Sequence, residues 1–443
     1  MSRRKTARVA ATVSLVVCVC VTMLATSARA QYSVNPVPDL TVSYSDPVTG
    51  NYLTPNHDYI TGGLAMVGTY SSGTYSWADL SGVVTNSTAG IPSGWTPASM
   101  YGYSVSANGN YIAGNMDISD GSETVRGAFV YSRTTGSSTY VSPYTLGRTE
   151  GFGMTVGVNN SGVLATYATP DTYALWSNYE NDASPFLPAD GNIWGVTTGG
   201  WAYGVNFNAY ESNNLTANST WGLVLYKGGT GTGTLPQPTV DTNGVLQPTP
   251  DYEGGTRVGT GIMGVWAGNI LGNDLGTLVF PYFSQNDVVA YHLGQYRDTD
   301  QTWHDIDVMS LVSPPDINLL DVWGISVAGV SADNKVAGTV SASYYTDNSQ
   351  TTYMQVNIPF LYDPVSDTTV NLNTLLPLGS PSITNIAAIS TDGWMMAGTS
   401  DSSAYLIAPA VVPEPSSMAL LGIGLGGLAF VRSRRRRKTA VAA

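Results

Sequence analysis

Side chains able to carry out acid–base or nucleophilic chemistry are scarce in this chain. Among 443 residues there are three histidines, His57, His292 and His304, and two cysteines, Cys18 and Cys20, both inside an apolar N-terminal stretch. A Ser-His-Asp device needs a histidine beside an activated serine, and no Gly-x-Ser-x-Gly elbow occurs. The tightest polar cluster is Trp303-His304-Asp305-Ile306-Asp307, with Asp298 and Asp300 upstream. In a strand, neighbouring side chains point to opposite faces, so His304 would face away from Asp305 and Asp307. The expectation is a solvated loop on an acidic rim.

Metal chemistry of the His/Cys type lacks ligands. Calcium prefers oxygen, and Asp117-Ile118-Ser119-Asp120-Gly121 and Asp333-Asn334 offer it. No EF-hand spacing is present, and Asx-Gly pairs also serve as turn residues. No resident cofactor is expected, with calcium the one ion kept open. Paired carboxylates could support glycoside hydrolysis, but that needs a separation of roughly 5–10 Å which linear order does not fix. The 10 Trp and 27 Tyr residues could line a sugar-binding face. Aromatics recurring at equivalent strand positions are expected in the core instead.

The elements that must position these groups read as strands. Gly, Thr, Ser, Asn, Tyr and Val dominate the central region, while helix-favouring Lys, Glu and Arg are few. Short alternating runs bounded by Gly, Asn, Asp and Pro recur, as in Tyr111-Ile112-Ala113-Gly114 or Thr369-Val370-Asn371-Leu372. Between Gln31 and Val411 lie seven of the 18 Lys+Arg and 30 of the 31 Asp+Glu, a formal charge of about −23. That excludes a nucleic acid as partner. It favours a soluble, salt-tolerant surface.

Both ends are built for export. Arg3, Arg4, Lys5 and Arg8 precede an apolar run from Val9 to about Ala25, and Ala28-Arg29-Ala30 has the spacing a signal peptidase reads. Cleavage after Ala30 would leave a mature protein from Gln31 with no cysteine; an uncleaved anchor is the alternative. At the other end, Pro413 and Pro415 forbid a helix across Val412-Pro413-Glu414-Pro415. Ser416 to Val431 carries no charge, and as a helix would span about 24 Å at ~1.5 Å per residue. That is short of a ~30 Å hydrocarbon core, but flanking side chains can snorkel. Arg432, Arg434, Arg435, Arg436, Arg437 and Lys438 would hold the end in the cytoplasm.

The triplet, apolar segment and basic block in this order resemble the PEP-CTERM sorting signal; the alternative is a generic C-terminal anchor. The resemblance implies an exosortase-type transpeptidase as partner, removal of the tail, passage to the cell surface, and a host that makes exopolysaccharide. The expected organisation is a signal peptide over 1–30, a β body over 31–410 and a sorting segment over 411–443. The membrane is then touched through the C-terminal helix before processing.

A repeat organises the body. Ser104 to Gly114, Gly329 to Gly338 and Ala388 to Gly398 share a Val/Ile-Ser-x-Asx pattern followed by a strand ending in Ala-Gly. Gly157 to Thr166 is a looser copy, and weaker ones surround Thr61 to Gly68, Thr198 to Gly204 and Arg257 to Gly264. Each reads as strand, two-residue turn, strand, then an aromatic strand such as Pro359-Phe360-Leu361-Tyr362 and a fourth strand. Four strands in ~40–60 residues is the size of a propeller blade. Units beginning near residues 59, 101, 152, 194, 256, 323 and 384 suggest about seven copies, closed by pairing N-terminal strands with the last unit. The pattern resembles HAF-type repeats of extracellular bacterial proteins, which imply a β-propeller, although the His-Ala-Phe triplet is missing. A β-sandwich or solenoid is the alternative. The functional expectation is a non-enzymatic surface or matrix protein associated with exopolysaccharide or adhesion. A glycan-active hydrolase or lyase on the same scaffold is the second reading, and a purely structural exported protein the third.

Overall fold

The computed structural model describes residues 32–41, 52–60, 66–79, most of 82–142, 152–168, 172–176, 192–196, 202–206, 222–226, 239–240, 256–257, most of 271–312, 319–345 and 352–410. Residues 34–374 and 378–408 make up one compact unit. The second unit is represented among described residues only by Tyr32–Ser33, Leu375–Pro377 and Pro409–Ala410.

Almost every described element is a strand. β1 (Tyr32–Thr41) leads, followed by a sheet of β2 (Tyr52–Leu53), β3 (Tyr59–Ile60), β4 (Met66–Ser71) and β5 (Thr74–Asp79), paired in that order. The next sheet holds β6 (Thr88–Ala89), β7 (Thr96–Val105), β8 (Tyr111–Ser119), β9 (Thr124–Ser132) and β10 (Ser137–Val141). There β7 to β10 form an antiparallel meander, and β6 adds in parallel beside β10. Two three-stranded sheets follow: β11 (Phe152–Val158), β12 (Leu164–Ala168), β13 (Thr172–Trp176), then β14 (Asn192–Val196), β15 (Ala202–Asn206), β16 (Gly222–Tyr226). A two-stranded ribbon, β17 (Thr239–Val240) and β18 (Thr256–Arg257), precedes β19 (Leu271–Gly272), β20 (Thr277–Ser284), β21 (Asp287–Arg297) and β22 (Thr302–Ile306). The last two sheets are β23 (Leu319–Val330), β24 (Val336–Tyr345), β25 (Tyr353–Asp363), β26 (Thr368–Asn371), and β27 (Ile383–Ile389), β28 (Met395–Thr399), β29 (Ser403–Pro409).

Period-2 patterning explains why sheets stack here rather than face water. Along β12, Leu164 packs with Ala113, Val130 and Trp176, while its neighbour Ala165 packs with Ile193 and Ala202 on the opposite side. Ile60 and Val67 likewise meet Val105, Ile112 and Phe129. Leu53 and Tyr59 meet Met396 and Leu406. Contacts run from β2–β5 to β7–β10, β11–β13, β14–β16, β19–β22, β23–β26 and β27–β29, and then return to β2. This circuit of radially packed antiparallel sheets is a β-propeller.

β1 closes the circuit. It is the outer strand of the last sheet, in the order β1-β29-β28-β27, with Asn35 Nδ2 donating to the Leu406 carbonyl at 3.4 Å. The sequence reading also closed the ring with N-terminal residues but took Leu40 to Gly50 as the piece; the closing strand is Tyr32–Thr41, and residues 42–50 lie outside the described ones. Covering the outer edge of β29 removes a pairing hazard.

Two unit boundaries differ from the sequence reading. The first and second strands of the first sheet turn at Thr54–Asp58, upstream of the Gly62-Gly63 pair. His57 there takes the positive φ of 65° that glycine holds in four of the other copies and Asn334 in the fifth, so the turn carries no Asx-Gly mark. The turn of the fifth repeat unit lies at Asn273–Thr277 rather than within 257–264. Only β17 and β18 are described between residues 227 and 270.

Candidate functional site

Six turns of one design link β2 to β3, β7 to β8, β11 to β12, β19 to β20, β23 to β24 and β27 to β28. The leading residue is Thr54, Ser106, Asn159, Asn273, Ser331 or Ser390, all buried. Its side-chain oxygen accepts the N–H opening the next strand: Asp58 at 3.0 Å, Tyr111 at 2.9 Å, Val163 at 2.7 Å, Thr277 at 3.1 Å, Lys335 at 3.0 Å and Trp394 at 2.9 Å. The residue three further on has positive φ, between 63° at Asn334 and 85° at Gly393. A short polar side chain that bonds its own backbone is what such a turn needs.

Neighbouring turns also hold one another. Arg133 Nη1 donates to Asp58 Oδ2 at 2.7 Å and to the Gly109 carbonyl at 3.2 Å. The Asn108 N–H donates to Asn160 Oδ1 at 2.8 Å. Asn273 Nδ2 donates to the Ser331 carbonyl at 3.0 Å and to Asn334 Oδ1 at 2.7 Å. The Ala332 N–H reaches the Thr391 carbonyl at 2.8 Å. Between the last sheet and the first, His57 Nε2 lies 3.3 Å from Asp392 Oδ2, and its ring stacks on Trp394 at 3.7 Å. The acids of these turns are thereby engaged. Burial would raise the Asp333 carboxyl, but hydrogen bonds from Lys335 and Ser331 and the Lys335 charge outweigh it and hold it low.

From His57 an aromatic row runs outward along the first sheet. Tyr70 meets His57 edge-on at 5.6 Å, Tyr75 lies 5.2 Å from Tyr70, and Trp77 stacks beside Tyr75 at 5.6 Å and 20°. All are half-buried. The Tyr75 hydroxyl donates to the His57 carbonyl at 2.7 Å. Burial, with the charges of Tyr70, Asp58 and Tyr59, pushes its ionisation well up. The alternation Thr74-Tyr75-Ser76-Trp77 puts both rings on one face of β5, where they pack against the core shared with the last sheet, as expected of strand aromatics.

The cluster around His304 is a strand, not a solvated loop, because Trp303 and Ile306 are fully buried and anchor β22. The structure then separates its polar groups, as alternation requires. The Thr302 hydroxyl sits 2.6 Å from Asp300 Oδ1 and 2.7 Å from His304 Nε2. Asp305 turns to His292 across the sheet at 3.7 Å, and Asp307 Oδ1 accepts the Ser310 N–H at 2.9 Å. Burial, assisted by the Arg297 charge, lowers the His304 pKa against the opposing pull of Asp300 and Asp367. Arg297 also donates to Gln295 Oε1 at 2.8 Å and to the Tyr362 hydroxyl at 3.4 Å. That hydroxyl donates to Asp367 at 2.9 Å; its pKa is pushed up to about 12 by burial and Asp367, against Arg297.

The loop residues considered for calcium have other partners. Asp117 binds Arg126 at 2.9 Å and Ser99 at 2.8 Å. Asp120 Oδ1 accepts three hydrogen bonds from Ser122 and Glu123 in its own turn. Among the described residues no group of three His, Cys, Asp or Glu converges as a metal site. Ala28, Ala30, Pro413, Glu414, Pro415 and Arg434 to Arg437 lie outside the described residues. No described helix is long and apolar enough to cross a membrane.

Residues 411–437 match the model of the PEP-CTERM protein-sorting motif. The chain carries that motif, which indicates an exported protein sorted to the cell surface by an exosortase-type system. No curated protein matches the chain. Among solved structures it is similar to a chain of the mitotic checkpoint complex, with 11% identity, 84% of this chain and 92% of that one covered, and a TM-score of 0.36. It is also similar to the WD40 β-propeller domain of Doa1 (6% identity, 87% and 98% covered, TM-score 0.32). A third is the β-propeller domain of Myceliophteria thermophila Cps50 (Swd1), with 10% identity, 85% and 100% covered, and a TM-score of 0.35. Likenesses this distant support no argument about role, and the propeller rests on the strand pairing above.

Proposed function

We propose that this is a non-enzymatic surface protein in which a seven-bladed propeller, processed at both ends, associates with extracellular polysaccharide. The sorting motif at 411–437 is the observation that carries the reading. Signal peptidase acts after Ala28-Arg29-Ala30, and the body is residues 31–410. The exosortase-type enzyme recognises Pro413-Glu414-Pro415 in a segment anchored over 411–443 by its apolar stretch and Arg434, Arg435, Arg436 and Arg437. Seven described sheets supply the blades, with the β17–β18 ribbon as an insertion. Hydrogen bonds hold the Asp120, Asp300, Asp333 and Asp401 carboxyls low, so none of these four is the raised acid a glycosidase uses.

The test is the intact mass of the protein from the surface fraction of a host with an exosortase-type system. A mature species starting at Gln31 and ending near Pro413 to Pro415 is expected. Pro413→Ala with Glu414→Ala should retain the tail and shift the protein to the membrane fraction. A surface species that keeps residues 1–30 or 416–443 overturns the processing.

A further inference from the structure

Four polar side chains make a stripe across one face of the β21–β22 hairpin. Gln295 pairs directly with His304 and Arg297 with Thr302, so all four project to the same side of the sheet. Leu293 and Ile306 on that face pack with Val336, Phe360 and Tyr362, which places the stripe in the junction with the β23–β26 sheet. One chain of contacts crosses there. Gln295 is fully buried, and its Oε1 accepts from Arg297 Nε at 2.8 Å. Arg297 Nη2 reaches the Tyr362 hydroxyl at 3.4 Å, and that hydroxyl donates to Asp367 at 2.9 Å. The 3.4 Å contact is the longest of the chain and therefore yields first. His304 sits beside it. The Thr302 hydroxyl has one proton, which the Asp300 carboxylate accepts at 2.6 Å. That network assigns the tautomer: His304 Nε2 donates to Thr302 Oγ1 at 2.7 Å, and Nδ1 is left to receive the next proton. The charges acting on the ring are Arg297 on β21, Asp300 in the β21–β22 turn and Asp367 in the β25–β26 turn. Neighbouring charges are engaged elsewhere: Asp305 turns to His292 on the other face, Lys335 pairs with Asp333 at 2.6 Å, and Asp298 acts on Tyr296.

We propose that this stripe is an acid-sensitive clasp between two blades: a proton arriving at His304 Nδ1 drives Arg297 off the Tyr362 hydroxyl and opens the rim of the junction. Burial and the like charge of Arg297 oppose an imidazolium there and outweigh the pull of Asp300 and Asp367, so the folded His304 pKa is lowered. Protonation therefore favours the open junction. The clasp is whole above the ordinary histidine value of 6.5 and loosens as pH falls below it. Gln295 is enclosed and cannot follow, so Arg297 is the part that moves. The sorting motif sends this junction to the cell surface, where it meets external pH directly.

The experiment is hydrogen exchange of the purified protein at about pH 7.5 and about pH 5, either side of the ordinary histidine value, with rates corrected for the pH dependence of free amides. Peptides from 295–306 and 358–371 should lose protection at the lower pH by about five- to tenfold, the worth of one hydrogen bond. The β7–β10 sheet, which carries no histidine, should not change. His304→Gln should keep its protection at both values. Arg297→Gln should exchange fast at both, because its clasp is open from the start, and it keeps the test decisive if His304→Gln does not fold. Equal wild-type protection at the two pH values overturns the clasp, and so does an acid loss that persists in His304→Gln. A loss shared equally by the β7–β10 sheet is global unfolding and overturns a local opening. Full protection of Arg297→Gln at the higher pH overturns Arg297 as the moving part.

Discussion

Asn273 is the position where one atom's chemistry separates a local turn role from a tertiary one. Its Oδ1 accepts the Leu275 and Thr277 N–H groups at 3.0 and 3.1 Å, the local role. Its Nδ2 donates across the blade junction to the Ser331 carbonyl and to Asn334 Oδ1. Thr277 and Ser331 are buried, at 1% and 0% exposure, so water does not replace a lost partner. Asn273→Ala strands the Thr277 N–H and removes one of two donors from the Ser331 carbonyl, which keeps the Asn334 N–H at 3.1 Å. At about 1–3 kcal/mol for a buried group left unsatisfied, the loss is about 2 kcal/mol. Asn273→Asp keeps the acceptor and the turn, yet aims a carboxylate oxygen at the Ser331 carbonyl. Turning the Asn334 amide over would recover one contact, but the backbone carbonyl cannot move. The loss is therefore at least about 2 kcal/mol. Guanidinium unfolding followed by tryptophan fluorescence measures both variants. An Asn273→Asp protein within about 0.5 kcal/mol of wild type would refute the junction role and leave a turn residue only.

Two further outcomes follow from the same structure. Gly338→Ala places a Cβ 2.3 Å from the Ser326 backbone oxygen and 2.8 Å from the Phe360 ring, and should destabilise by about 3 kcal/mol. Gly379→Ala meets nothing within 4 Å at φ +87° and should lose only about 1–2 kcal/mol to backbone strain; equal unfolding midpoints for the two would show the contact is not tight. His304 has its folded pKa below its unfolded value of 6.5, so protonation favours the unfolded chain. Its contribution is complete above that value and is lost as pH falls through it toward the folded pKa. His304→Gln should flatten the decline in stability as pH falls below 6.5, and an unchanged slope in denaturant titrations would count against burial as the cause.

Much of this protein is legible in residue order because the signals are local. The charged and apolar zones at the ends, the Pro-Glu-Pro break and the acid-rich, cysteine-free body need no folded context. Ser106-Ala107-Asn108-Gly109 and Ser390-Thr391-Asp392-Gly393 announce their turns through side chains that bond their own backbone. The same signal fails at Thr54–Asp58, where tertiary contacts hold His57 at positive φ without a glycine. Strand alternation placed His304 and Asp305 on opposite faces. Whether that segment was a strand was settled by Trp303, which only packing against Phe280 and Tyr296 buries.

The amino-acid sequence by itself determined the sorting motif, the all-β class and the repeated hairpin, since these follow from composition and neighbours within a few tens of positions at most. Tertiary structure alone decided that residues 32–41 close the last sheet and that Arg133 meets Asp58 75 positions away. It also decided that Tyr75 and Trp77 stack over Gly68 against the core of the last sheet. Those pairings are chosen by which faces can be buried together. No local pattern encodes that choice, because each partner's turn and strand propensities are satisfied equally well by other companions.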